Sequence, residues 1–281
     1  MKAIVNIHRL YGTHDLHNTL LKGIQLNDFP FLENAFMIID QDLITDFGIM
    51  PDYFQKYGEK NFLEIIDAKG GLVLPCWCDS HTHLVYAATR EAEFKDRITG
   101  LSYEDIAARG GGILNSAIKM ASISEQNLLD ISMERAKMAM RMGTGSMEIK
   151  SGYGLTLESE LKMLRVIRLL AQQLNISIKS TFLGAHAVPA HFKNNKEGYI
   201  KHLINEMLPA VANEKLADYC DVFCERNYFT QAETITILEA AKKHGMIPKV
   251  HANQLSHSGG VAAGVHCNAV SVDHLEYVAE E

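Results

Sequence analysis

The chain has 281 residues, 47% of them hydrophobic, and a formal net charge of −7. That length and apolar content suit one large domain, or a large domain with a small companion. The acidic balance and scattered lysines and arginines exclude the basic stripe of a nucleic-acid binder; no apolar run reaches the roughly 18 residues of a membrane span, and Met1 to His8 lacks the apolar core of a signal peptide. Five cysteines, an odd number without a repeating framework, fit reduced thiols in a cytoplasmic protein.

Residues 1–71 read as a small β unit. Its short strands are Ala3 to Ile7, Ala35 to Ile39, Leu43 to Phe47 and Phe62 to Ile66, and its turns fall at Gly12, Asn27-Asp28, Pro51-Asp52 and Gly70-Gly71. From Leu72 to the end the pattern changes to β-rich runs alternating with helical ones, which predicts a parallel sheet with crossover helices. The predicted strands are Leu72 to Cys78, Gly145 to Lys150, Ile176 to Leu183, Tyr219 to Cys224, Ile247 to His251 and Ala269 to Asp273. Glu125 to Met142 and Leu157 to Leu174 carry apolar residues at three- and four-residue spacing and read as helices. Cys76 and Cys78, placed in an apolar strand, read as small core residues rather than metal ligands.

Polar groups of catalytic type recur where these strands end: His81-Thr82-His83, then Lys150-Ser151-Gly152-Tyr153, His186, Glu225-Arg226, His251 and His274. A (β/α)8 barrel builds its active site from the loops at the carboxyl ends of its strands, whereas an open doubly wound sheet concentrates ligands at one switch point. The spread over six strand ends favours the barrel. Alternation brings His81 and His83 to the same side as the first strand ends, which is half of a site for zinc or iron(II). Taken alone, His-x-His reads equally well as polar surface capping a strand.

Read together, His81-Thr82-His83, Tyr103-x5-Arg109-Gly110-Gly111-Gly112-Ile113, Glu148-Ile149-Lys150-Ser151-Gly152-Tyr153-Gly154-Leu155, Thr181-Phe182-Leu183-Gly184-Ala185-His186, Val250-His251-Ala252 and Ser271-Val272-Asp273-His274-Leu275-Glu276 resemble the amidohydrolase superfamily and, within it, the imidazolonepropionase family. The His-x-His is common to the superfamily; the two long motifs are far more specific. The resemblance implies an α/β fold, an amidohydrolase-type (β/α)8 TIM barrel over 72–281, with a small β-sandwich-like domain over 1–71. It further implies a homodimer that opens the cyclic amide of 4-imidazolone-5-propanoate to N-formimidoyl-L-glutamate in histidine degradation, with one zinc or iron ion.

Carried over by position, His81, His83 and His251 resemble the metal ligands, and Arg90, Tyr153, His186, Gln254 and Tyr103 the substrate contacts. An arginine also suits the propanoate on chemical grounds, because its planar fork binds a carboxylate in bidentate fashion. Tyr153, between Gly152 and Gly154, is expected to be exposed. His274 and Gln254 are the expected catalytic residues; many family members have glutamate where this chain has Gln254, and an amide takes no proton at neutral pH, which shifts the base role toward His274. Lys150 follows the second strand rather than the fourth, so it does not match the carboxylated lysine of two-metal amidohydrolases, and a single-metal site is expected. Gly110 to Gly112 read as a flexible loop beside the substrate, since no phosphate-loop pattern accompanies them.

The family also has an aspartate after an eighth strand, and six strand candidates precede Glu281. The barrel is therefore expected to be incomplete at its C-terminus, leaving open sheet edges, no anionic partner near the metal, and little turnover from these 281 residues alone. Two rival readings are a related metal-dependent deaminase of a cyclic amidine and a non-catalytic fragment of the fold. Arg90 and Tyr153 weigh against the deaminase.

Overall fold

The computed structural model describes residues 1–13, 23–27, 29–102, 105–106 and 111–278. Its internal contacts separate two units, Met1–Cys76 and Trp77–Glu281. In the first, β1 (Lys2–Tyr11), β2 (Phe31–Asp40) and β3 (Leu43–Ile49) pair antiparallel, while β4 (Glu64–Asp67) and β5 (Leu72–Val73) lie parallel to β1. The register of β1 shifts between Ile4 and Ile7, and Asn6 within the shift has φ +55°. This bulge flips the alternation. Ala3 and Val5 consequently pack with Phe36 and Tyr53, whereas Ile7 packs with Leu10 and Met37 in a separate cluster.

Pro51-Asp52, expected as a turn, opens the helix Met50–Tyr57 instead. Proline is tolerated in the first turn because the N–H it lacks would have no partner there.

The second unit is a sheet of six parallel strands in sequence order: β6 (Trp77–Thr82), β7 (Thr144–Lys150), β8 (Ser177–Ala185), β9 (Tyr219–Cys224), β10 (Ile247–Ala252) and β11 (Val272–His274). Helices connect consecutive strands, as in a barrel of alternating β and α elements; they include Gly112–Ser122, Glu125–Arg141, Leu157–Gln173 and Gln231–Lys243. Their starts are written in the sequence. Ser124 and Thr156 cap the second and third of these by accepting from the N–H groups of Asn127 and Ser159, and Thr230 with Glu233 forms a reciprocal capping box on the last.

Alternation along the strands sorts two kinds of residue. Met147, Ile149, Cys220, Val222, Val250 and Ala252 join the main apolar cluster with helix residues such as Leu164, Ile167 and Leu238. The intervening residues Glu148, Lys150, Asp221, Lys249 and Asp273 meet one another inside the curl of the sheet. The apolar layer holds the wall together, and the polar layer builds the site.

Leu72 to Cys78 is not a single strand. Leu72 and Val73 pair with Arg9 and Leu10 of β1, whereas Trp77 to Thr82 pairs with β7. Pro75, between them, has no N–H to donate to a ladder and ends the first pairing. Cys76 and Cys78 are accordingly exposed rather than in the core, because they lie on the link and on an edge strand. All five cysteines are free thiols. Gly112 opens the helix Gly112–Ser122 with φ +71° instead of extending a loop; Gly110, Arg109 and Tyr103 lie outside the described residues.

Candidate metal centre

His81 sits on β6, His83 one residue past its end, and His251 near the end of β10. Each offers a ligand nitrogen, and the three nitrogens lie within 4.8 Å of one another. The ring of His274, from the end of β11, is centred 5.0 Å from those of His81 and His251. Nδ1 of His83 and Nε2 of His251 are buried without a hydrogen-bond partner among the described residues. Two buried imidazole nitrogens without a partner are costly in a closed protein interior, and the donor set suits a divalent ion such as zinc or iron(II). The residues fit the metal that the sequence implies.

Carboxylates set the remaining imidazole nitrogens. His251 Nδ1 stands 2.9 Å from Asp221 Oδ2, and the His251 backbone N–H donates to Asp221 Oδ1 at 3.0 Å. His81 Nδ1 stands 2.8 Å from Asp273 Oδ2. Lys150, fully buried, donates to Glu148 at 2.7 Å and to Asp221 at 2.8 Å, and pairs with Asp273 at 3.2 Å; Glu148 also accepts from Lys249. Burial pushes the Asp221 carboxyl up, but His251 and Lys150 outweigh it and hold it well below the usual carboxylate range. Asp273 is likewise held down by His81 and Lys150 against its burial. For Lys150, burial acts to lower the pKa, and Asp221 and Glu148 override it, so the ammonium stays charged.

These contacts correct one expectation. The histidines do not lack anionic neighbours: Asp221 and Asp273 stand among them, and with His251 form a second possible ligand group. Sequence reading gave neither a role, although Asp273 lies within a quoted motif, because an aspartate on an interior strand face looks like any strand polar residue until the neighbouring strand is placed.

On the other side, Tyr153 is buried rather than exposed, its ring centred 5.2 Å from His83 and 5.5 Å from His186. Gly152, at φ +100°, turns the chain inward, and a Cβ there would lie 2.9 Å from His186 Nδ1. His186 Nδ1 stands 2.9 Å from the Gly152 carbonyl, so it carries the proton and leaves Nε2 as an acceptor. Burial, reinforced by His251, pushes the His186 pKa down to about 3. Arg90 donates to the Tyr153 hydroxyl at 3.3 Å and pairs with Glu93 at 3.6 Å. His83, Tyr86, Arg90, Ser116 and Tyr153 line one cavity of about 200 Å³. Gln254 follows β10, where its backbone N–H donates to Glu225.

The imidazolonepropionase of Flavobacterium johnsoniae is 52% identical to the chain over 278 residues, covering 99% of the chain and 67% of that relative. The chain belongs to the imidazolonepropionase family. A second member, from Christiangramia forsetii, is 49% identical with the same coverage, and one from Clostridium tetani is 41% identical over 92% of the chain and 62% of its own length. The chain thus spans about two thirds of the length of these curated relatives. No protein-family model matches it. Among solved structures, the 5-methylcytosine deaminase of Klebsiella pneumoniae bound to 5-fluorocytosine superimposes with a TM-score of 0.62 at 14% identity, covering 94% of this chain and 55% of that one. Guanine deaminase of E. coli gives 0.62 at 9% identity, with 99% and 62% covered. Both share the fold.

Proposed function

We propose that the chain carries the ring-opening centre for 4-imidazolone-5-propanoate, hydrolysing its cyclic amide to N-formimidoyl-L-glutamate in histidine degradation. The observation that carries this reading is the meeting of His83, one of three converging histidines, with Arg90 and Tyr153 in one cavity wall. His81, His83 and His251 would hold a zinc or iron(II) ion, which would supply Lewis-acid polarisation of the carbonyl and activation of water.

The chain's own groups do the rest. The Arg90 fork receives the propanoate carboxylate. Arg90 donates to the Tyr153 oxygen, which holds the guanidinium and the phenol together on the wall where the substrate would lie. His186, neutral and protonated at Nδ1, accepts a ring N–H at Nε2. His274 moves the proton, and Gln254 orients water or substrate without taking a proton itself. Tyr103, outside the described residues, is assigned a substrate contact on the family resemblance alone. Membership of the family supports two further readings, a cytoplasmic location and a homodimer, the latter checked by sedimentation velocity. No helix among the described residues is long and apolar enough to cross a membrane.

The test is to incubate zinc- or iron-loaded protein with 4-imidazolone-5-propanoate and follow the product by mass spectrometry. Gain of one water with no ammonia released is expected, because Asp221 and Asp273 supply the anionic neighbours whose expected absence argued for little turnover. Release of ammonia would point to a deaminase, and an unconsumed substrate would count against the proposal.

A further inference from the structure

Beneath the three histidines lies a group of charges that the proposed reaction does not use. The Lys150 ammonium has three protons and faces three carboxylate oxygens: Glu148 Oε1 at 2.7 Å, Asp221 Oδ2 at 2.8 Å and Asp273 Oδ2 at 3.2 Å. The last two oxygens are also the ones that meet the histidines, Asp221 Oδ2 with His251 Nδ1 and Asp273 Oδ2 with His81 Nδ1. One cation therefore joins two carboxylate–imidazole pairs that come from different strands, β9 with β10 and β11 with β6. Two of these strands, β6 and β11, are the outer strands of the sheet. Side chains bind them where no backbone ladder does.

We infer that Lys150 is a positioning residue for the metal site: by clamping Asp221 and Asp273 together it fixes His81 and His251 as Nδ1–H tautomers with Nε2 turned to the ion. The inference rests on the reading that these histidines hold a metal. Its physical basis is simple. An ionised carboxylate only accepts, so an imidazole nitrogen facing it must carry the proton, and the other nitrogen is left with its lone pair. Both carboxylates face the Lys150 ammonium, Asp221 at 2.8 Å and Asp273 at 3.2 Å. Without the ammonium, Asp221 and Asp273 would lose the cation they share and swing apart, releasing both rings, while Glu148 would keep Lys249. His83 stands outside this arrangement, with Nδ1 unpartnered among the described residues.

The experiment has two arms. Long-range ¹H–¹⁵N spectra of the metal-free wild-type protein report tautomers directly, with His81 and His251 assigned by single substitution. Nδ1–H is expected at both, and Nε2–H at either would overturn the inference. In the second arm, zinc affinity is measured by competition with a chromophoric chelator for wild type, His83→Ala, Lys150→Met, Asp221→Asn and Asp273→Asn. Loss of an oriented partner of a metal histidine weakens metal binding by on the order of 10–100-fold. That weakening is expected in Lys150→Met with mixed tautomers at His251, whereas a merely structural lysine would lower the melting temperature and leave the tautomers alone. If Lys150→Met does not fold, the two aspartate variants carry the same expectation. Zinc bound by wild type and lost in His83→Ala upholds the metal reading by itself; folded Lys150→Met or aspartate variants that then bind zinc like wild type would overturn the clamp alone.

Discussion

Glu160 accepts the backbone N–H of Gly152 through both carboxylate oxygens, at 3.2 and 3.0 Å. The same side chain accepts from Gly154 at 2.7 Å and Leu155 at 2.9 Å, and it is fully buried in the first turns of the helix Leu157–Gln173. A single acid thus accepts three backbone N–H groups of the loop that turns Tyr153 toward His83. Glu160→Gln replaces one accepting oxygen with an NH₂ that faces N–H groups. Leaving buried donors unpaired costs about 1–3 kcal/mol each, so a loss of about 2–4 kcal/mol is expected. Calorimetry should show a melting temperature lower by several degrees, and an unchanged one would contradict this anchoring role.

His186 makes stability depend on acidity. It is held neutral in the folded chain, with its pKa pushed down to about 3, while an unfolded histidine titrates near 6.5. Between those values the unfolded state binds more protons, so stability falls as pH falls through that window and is fully present above it. His186→Asn keeps a donor in reach of the Gly152 carbonyl but removes the titration. Urea unfolding between about pH 4 and 6 should show the slope of stability against pH reduced by one proton, about 1.4 kcal/mol per pH unit.

For the metal, replacing His81, His83 or His251 by alanine removes one of three converging nitrogens. Each variant should fold and lose bound zinc or iron by elemental analysis. Unchanged stoichiometry in all three would place the ion elsewhere.

Arg90→Lys keeps the charge and loses the fork. A point charge cannot bind a carboxylate through two parallel N–H groups, and the lysine would also give up the guanidinium that lies over the Tyr153 ring, 5.5 Å from its centre. Affinity for an imidazole bearing a propanoate tail should drop about tenfold, roughly 1.4 kcal/mol. Titration calorimetry showing equal affinity would dismiss Arg90 as the carboxylate contact.

Which parts could be read from the sequence follows from whether the signal is local. Helical spacing places Glu125–Arg141 and Leu157–Gln173 almost to the residue, and β9 appears at its predicted bounds, Tyr219–Cys224. The histidines at strand ends are equally local, since alternation and a strand terminus suffice to aim them. The two-sheet division of Leu72 to Thr82 was hidden because its apolar run is continuous across Pro75, and which neighbour each half pairs with is a long-range fact. The burial of Tyr153 was hidden for a similar reason: flanking glycines suggest freedom, and only Glu160, reaching back from the next helix, reveals that they permit a tight inward turn. Lys150 and Asp221, 71 residues apart, become partners only when β7 and β9 are set in one curled sheet.

The burial of Lys150 and Lys249 also makes them chemical clocks. Among the described lysines these two have the enclosed side chains, and an acylating reagent needs an uncharged, accessible amine. Surface lysines should be modified within the first moments of a pulse with an activated ester. Modification of Lys150 must wait until β7 parts from its neighbours, so its rate, read peptide by peptide in a mass spectrometer, measures how often the barrel wall opens.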